Sequence, residues 1–225
     1  MPIKNIKSVF LFLAAFAASV VAETISNSHP KEHRGFYNSF DVGISYINFE
    51  SHDDDARYQD KVTFEGFSVP VMEFRFGTAI GNLVAFYTIF NFTGYLGEAN
   101  HSEVYMEDGF SEEYSDDMSW MLRTYVGFGS SIYPFRNPNS ALNGFFVGGS
   151  VGYGLGAVFG DGISSGPNLD VDLGFTVEIG KEWWVNDHFS LGIGLNYFHG
   201  KPRFENNDSD NKVNGFQLMF RMTRG

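Results

Sequence analysis

The segment from Leu169 to Gly180, LDVDLGFTVEIG, constrains the fold more than any other part of the chain. Leu169, Val171, Leu173, Phe175, Val177 and Ile179 alternate with Asp170, Asp172, Gly174, Thr176, Glu178 and Gly180. Successive side chains of a strand point to opposite faces, so this period of two puts the apolar groups on one side and the three carboxylates on the other. From Phe36 onward the alternation recurs in eight runs, near 37–49, 62–77, 83–97, 118–133, 144–158, 168–181, 188–199 and 213–223. The connectors after odd-numbered runs are long and polar (50–61, 98–117, 159–167 and 200–212). Those after even-numbered runs are mostly short: TAIGN (78–82), PFRNPNSALNG (134–144) and WWVND (183–187). The spacing predicts an up-and-down meander with long loops at one end and turns at the other.

Comparing the runs decides which face is wet. In the fourth, Trp120, Leu122, Thr124, Val126 and Phe128 oppose Arg123, Tyr125, Gly127, Gly129 and Ser131. In the fifth, Phe145, Val147, Val151, Tyr153 and Leu155 oppose Phe146, Gly148, Ser150, Gly152 and Gly154. In the seventh, Phe189, Leu191, Ile193, Leu195 and Tyr197 oppose Ser190, Gly192, Gly194, Asn196 and Phe198. One face is bulky and apolar, the other small or charged. The interior of an eight-stranded barrel is just wide enough for side chains to fill it, so the bulky set would be crowded inside. Turned outward, the same set meets lipid, and Gly, Ser, Asp and Arg line a narrow lumen. The predicted fold is all-β, an eight-stranded antiparallel up-and-down transmembrane β-barrel, whose strands need about 9–11 residues to span the bilayer.

The beginning of the sequence fits that destination. Lys4 and Lys7 precede an apolar stretch from Val9 to Ala22, with small residues at Val20 and Ala22, as in a secretory signal peptide. Without residues 1–22 the formal charge moves from −12 to −14, because both lysines go and no acid does. Such an acidic chain excludes nucleic acid as a partner, since phosphate binding needs a basic face. The absence of cysteine excludes disulfides, thiolate metal sites and a lipid-modified N-terminal cysteine. No cofactor is expected.

A signal peptide, eight amphipathic strands, short turns and long polar loops together resemble the small outer-membrane barrels of Gram-negative bacteria, the OmpX and OmpA-barrel type. The resemblance covers about residues 36–223 and is architectural. It implies a signal peptide at 1–22, an N-terminal periplasmic segment at 23–35 and an outer-membrane barrel domain at 36–223. It also implies short turns towards the periplasm, long loops towards the cell exterior and a bacterial outer-membrane location. The implied partners are outer-membrane lipid and lipopolysaccharide, the barrel assembly machinery during insertion, and an unknown extracellular ligand; the implied state is a monomer.

The lumen charges can be ranked by height above the short turns. Arg123 and Asp172 lie about 11 residues above theirs, with Asp170 slightly higher; Arg75 and Glu178 lie a few residues above theirs. Two tiers of ion pairs follow: Arg123 with Asp170 and Asp172 above, and Arg75, with Glu73, opposite Glu178 below. Arg221 is a further lumen charge. Aromatic residues flank the apolar bands as interfacial girdles do. Trp120, Tyr133, Trp183, Trp184 and Tyr197 are the principal candidates, joined by Phe135, Tyr46, Phe49 and Tyr95.

Other motifs point to less. Asp53, Asp54, Asp55 and Asp60 fill one loop, and Glu98–Asp117 holds eight acids and no lysine or arginine. Neither has calcium-loop spacing, so a solvated acidic surface is expected and no metal site. His52 beside Asp53, His101 beside Ser102, and His199 sit at the rim outside any catalytic motif, so no enzyme activity is expected. GGSVGYGLG (148–156) follows strand period and precedes no helix, which a phosphate loop would need. NFT (91–93) matches a glycosylation acceptor but falls within a membrane strand. The expected role is structural or surface-interacting, through acidic extracellular loops. A narrow channel for small solutes is the alternative, and a rim-located lipid-modifying enzyme is third.

Overall fold

The computed structural model describes residues 31–54, 58–105, 111–159, 168–202 and 212–225. Eight strands follow one another: β1 (Gly35–Asp54), β2 (Tyr58–Ile80), β3 (Val84–Tyr105), β4 (Ser111–Ile132), β5 (Phe145–Phe159), β6 (Asn168–Trp184), β7 (Phe189–Pro202) and β8 (Lys212–Arg224). Each pairs antiparallel with the next, and β8 returns to β1, where Asp41 faces Arg221 and Tyr46 faces Phe216. Closure leaves no sheet edge in the membrane band, which lipid would not tolerate. Among the described residues no helix is long and apolar enough to cross a bilayer.

The apolar alternation sits on the outside. Phe128 is 74% exposed and Val151 63%, whereas their strand neighbours Tyr125 and Ser150 are buried in the lumen. Size sorts the lumen face further. A Cβ on Gly148 would lie 2.6 Å from the carboxylate Oε1 of Glu178, and one on Gly154 would run into Asp172 and the Arg123 guanidinium. The β5 glycines therefore make room for long charged side chains from β4 and β6. At the β2–β3 turn, Gly81 and Asn82 both have positive φ (56° and 51°), as the central pair of a type I′ hairpin turn requires.

Two features depart from the sequence reading. In β2 the lumen-facing residues are Val62, Phe64, Gly66 and Ser68 above and Val71, Glu73, Arg75 and Ala79 below, so the phase changes within the run. The change falls at a register shift between Phe67 and Val71, across Val69–Pro70. Proline has no N–H for a ladder and is tolerated at such a bulge. Second, the polar stretches after β1 and β3 are largely strand: β1 pairs with β2 up to Asp54↔Gln59, and β3 with β4 up to Val104↔Ser111. Backbone hydrogen bonds hold these extensions where no apolar face marks them. β5 meets β4 only as far as Phe159↔Trp120, and β8 meets β1 only as far as Lys212↔Glu50. The four strands β1–β4 thus project beyond the rim as a paired sheet. The connectors 160–167 and 203–211 lie outside the described residues, as does the expected signal peptide.

Candidate functional site

Chemistry concentrates in the lumen, and its lower half is built around one carboxylate. Glu178 Oε1 accepts from Arg75 Nη1 (2.7 Å), Ser131 Oγ (2.7 Å) and Tyr87 Oη (3.0 Å). Its Oε2 accepts from Arg75 Nη2 (2.7 Å) and Arg221 Nη2 (2.8 Å). Arg75 also donates to Glu73 Oε1, 2.8 Å from Nε, and Asn91 fixes the other Glu73 oxygen at 3.0 Å. Arg221 Nε donates to Asp41 Oδ2 at 2.8 Å. Arg75, Arg221, Glu73, Glu178 and Asp41 are each at most 4% exposed, so the two guanidiniums and the carboxylates between them are held by one another and not by water.

This tier brings Arg75 to Glu178 across the lumen, from strands on opposite sides of the ring. It also absorbs Arg221, which the sequence placed without a partner. Asp41, Tyr87 and Ser131 were not anticipated. Asp41 could have been found from the closing register, in which it faces Arg221, but that register is visible only once β8 is known to meet β1.

The upper tier is smaller. Arg123 Nη2 lies 3.1 and 3.0 Å from the two oxygens of Asp172. Its guanidinium stands 4.8 Å over the ring of Phe198. The side chain of Asp170, expected as a second partner, lies outside the described residues. Around and above this pair the lumen becomes apolar: Ile47, Phe49, Phe64, Met121, Val158, Phe198 and Val213 form one buried cluster.

The short-turn mouth is closed by a residue the sequence reading did not single out. His33 is fully buried, with Nε2 3.2 Å from Glu182 Oε2. Its ring packs against Tyr133 (4.6 Å between centroids) and Trp184 (4.5 Å). The segment carrying it is tied to two turns, with Lys31 N donating to Asp187 O and Asn82 N donating to His33 O. Those turns join β6 to β7 and β2 to β3, on opposite sides of an eight-membered ring.

The aromatic expectations divide accordingly. Trp120 (48% exposed), Trp183 (52%) and Tyr197 face outward, Trp120 stacked on Phe159 and Tyr197 against Phe216. Tyr133 does not belong to a girdle: it is buried and donates to Glu182 Oε1 at 3.1 Å. Trp184 turns to the barrel mouth, its indole N–H donating to Asn143 Oδ1 at 3.1 Å. Phe49 and Tyr95 also point inward, Tyr95 sharing a 3.0 Å hydrogen bond with Ser45. An aromatic near a strand end serves either face, and the parity of its position decides which.

The rim histidines are dispersed. His52 lies on the extension of β1 and His101 on that of β3, and the side chain of Asp53 is outside the described residues. His199 Nδ1 is 2.6 Å from Asn214 Oδ1, on the outer surface. Among the described residues no group of three or more His, Cys, Asp or Glu side chains is arranged to hold a metal ion.

No curated protein matches the chain. Among solved structures, Neisserial surface protein A has a TM-score of 0.50 at 15% identity, covering 84% of this chain and 96% of that one. OprG from Pseudomonas aeruginosa has a TM-score of 0.45 at 12% identity, covering 86% and 98%. Ail of Yersinia pestis has 0.41 at 12% identity, covering 84% and 99%. At 15% identity the likeness to Neisserial surface protein A is one of fold. The profile of the outer membrane protein beta-barrel domain matches residues 8–222, nearly the whole chain, and with the closed eight-stranded barrel it carries one conclusion. The chain belongs to the outer membrane protein beta-barrel domain family, whose place is the bacterial outer membrane.

Proposed function

We propose that this protein is a surface-display barrel: a closed, monomeric scaffold in the outer membrane that holds the β1–β4 sheet extension outside the cell to bind an extracellular partner. The carrying observation is a contrast between inside and outside. Among the described residues the lumen is occupied at successive heights by His33, the Glu178 tier, the Arg123–Asp172 pair and the apolar cluster, which favours a plugged barrel over an open channel. The strands instead continue outward, β4 running nine residues from Trp120 to Ser111, about 30 Å at strand rise. Function on such proteins is carried by segments positioned on a rigid scaffold.

The acidic composition of 98–117 favours a basic partner and binding that weakens with salt. The reading includes export through a signal peptide cleaved after residue 22, insertion by the barrel assembly machinery, lipid and lipopolysaccharide against the outer face, and no catalytic role. The test replaces the hairpin above the Ala99↔Asp116 pair with a two-residue turn. Cell-surface binding should fall at least tenfold while the barrel keeps its heat-modifiable migration on gels. Planar bilayers should give no steady conductance with either form. Retained binding, or open channels in the intact protein, would defeat the proposal.

A further inference from the structure

The lower lumen is not neutral. Between the Glu178 tier and His33 lie four buried carboxylates, Asp41, Glu73, Glu178 and Glu182, against two guanidiniums, Arg75 and Arg221, and one imidazole. Even with His33 protonated, negative charge exceeds positive by one among the described residues. An uncompensated buried charge is strongly destabilising, so something must neutralise it.

Three oxygens mark where. Asp41 uses Oδ2 for Arg221, while its Oδ1 is buried and accepts no hydrogen bond. The hydroxyl oxygens of Ser39 and Thr223 are likewise buried and unpartnered. Ser39 and Asp41 share the lumen face of β1, two residues apart, and Thr223 is the direct cross-strand partner of Ser39 on β8. Such neighbours have Cβ atoms about 4.5–5.5 Å apart, within reach of a common ion. All three residues are fully buried.

We propose that Asp41, Ser39 and Thr223 bind a monovalent alkali cation, sodium or potassium, at the seam where β8 closes on β1. The donors are hard oxygens, as such a cation requires. One carboxylate oxygen with two hydroxyls, beside a guanidinium already paired to the same carboxylate, suits a single positive charge and not a divalent ion. Among the described residues no set of three carboxylate or imidazole groups is placed to hold one. The cation offsets one unit of the surplus charge and ties the first strand to the last.

The test uses the folded barrel in neutral detergent at pH 8, with sodium, potassium or N-methyl-D-glucamine chloride at equal ionic strength. The unfolding midpoint should be several degrees higher in one alkali salt than in the organic salt, and the rise should saturate. Ser39→Ala and Thr223→Val, which remove no charge, should flatten the difference while the protein remains folded. Crystals of the unaltered protein soaked in thallium(I) should give an anomalous peak between Asp41 Oδ1, Ser39 Oγ and Thr223 Oγ1. Equal midpoints in all three salts, or an anomalous map empty at this tier, would overturn the proposal and leave a proton as the neutralising charge.

Discussion

The two halves of the lumen solve the same packing problem with opposite chemistry. Both fill a bore set by eight strands. The lower half uses Arg75, Arg221 and the carboxylates around them, Arg75, Arg221, Glu73 and Glu178 each hydrogen-bonded to two or more partners. The upper half uses Ile47, Phe49, Phe64, Met121, Val158, Phe198 and Val213, with the Arg123–Asp172 pair set among them. Charges that share partners fail together, because removing one strands the others. Apolar side chains fail singly, each losing its own contacts.

The largest expected effect comes from breaking the shared set. Arg75→Met leaves Glu73 short of its guanidinium and Glu178 with Arg221 as its remaining cationic partner beside the Tyr87 and Ser131 hydroxyls. Stability should fall by about 3–5 kcal/mol in denaturant titrations of the refolded barrel. A loss no greater than that from an upper-half truncation would show that the lower charges act independently.

Replacing both members of the upper pair tests the converse. Arg123 Nε has no hydrogen-bond partner, and the surroundings are apolar. The double variant Arg123→Met/Asp172→Leu should therefore be neutral or gain about 1–4 kcal/mol, as replaced buried pairs often do. Reversing Arg123 alone to Asp should be damaging, and adding Asp172→Arg should restore part of the loss. Without any restoration, the two side chains do not act as a pair.

Smaller changes set the scale. Ile47→Val should cost about 0.5–1.5 kcal/mol, the ordinary loss of one buried methylene, read as a parallel shift in the denaturation midpoint. Lys61→Ala, on the exposed extension, should cost about 0.2–1 kcal/mol or less, since Glu50 keeps Lys212 at 3.2 Å and the pair is screened by salt. A larger loss would mean that the extension is coupled to the barrel closure.

Strand number, order and sidedness were legible because period two is a local property. The short turns were legible for the same reason, as with Gly81 and Asn82. The strand extensions were not: 98–117 is mostly polar and carries eight acids, so pairing there rests on backbone bonds that leave little mark in hydropathy. The bulge at Val69–Pro70 was missed because an alternation read continuously through it hides a change of phase. Tyr133, Phe49 and Tyr95 were assigned to girdles by their closeness to strand ends, where only parity distinguishes lipid from lumen.

The sequence by itself determined that eight amphipathic strands must turn their apolar faces to lipid, because no other placement satisfies both the bulky and the small set. It also determined that long charged residues on the inner face need partners, because burial of a lone charge is costly. Which charges meet was decided only by the tertiary structure. Closure of β8 onto β1 brings Arg221 to Asp41, 180 residues away in the chain, while the same guanidinium reaches Glu178 on β6. Register and ring position set those distances, and neither is written in any single strand.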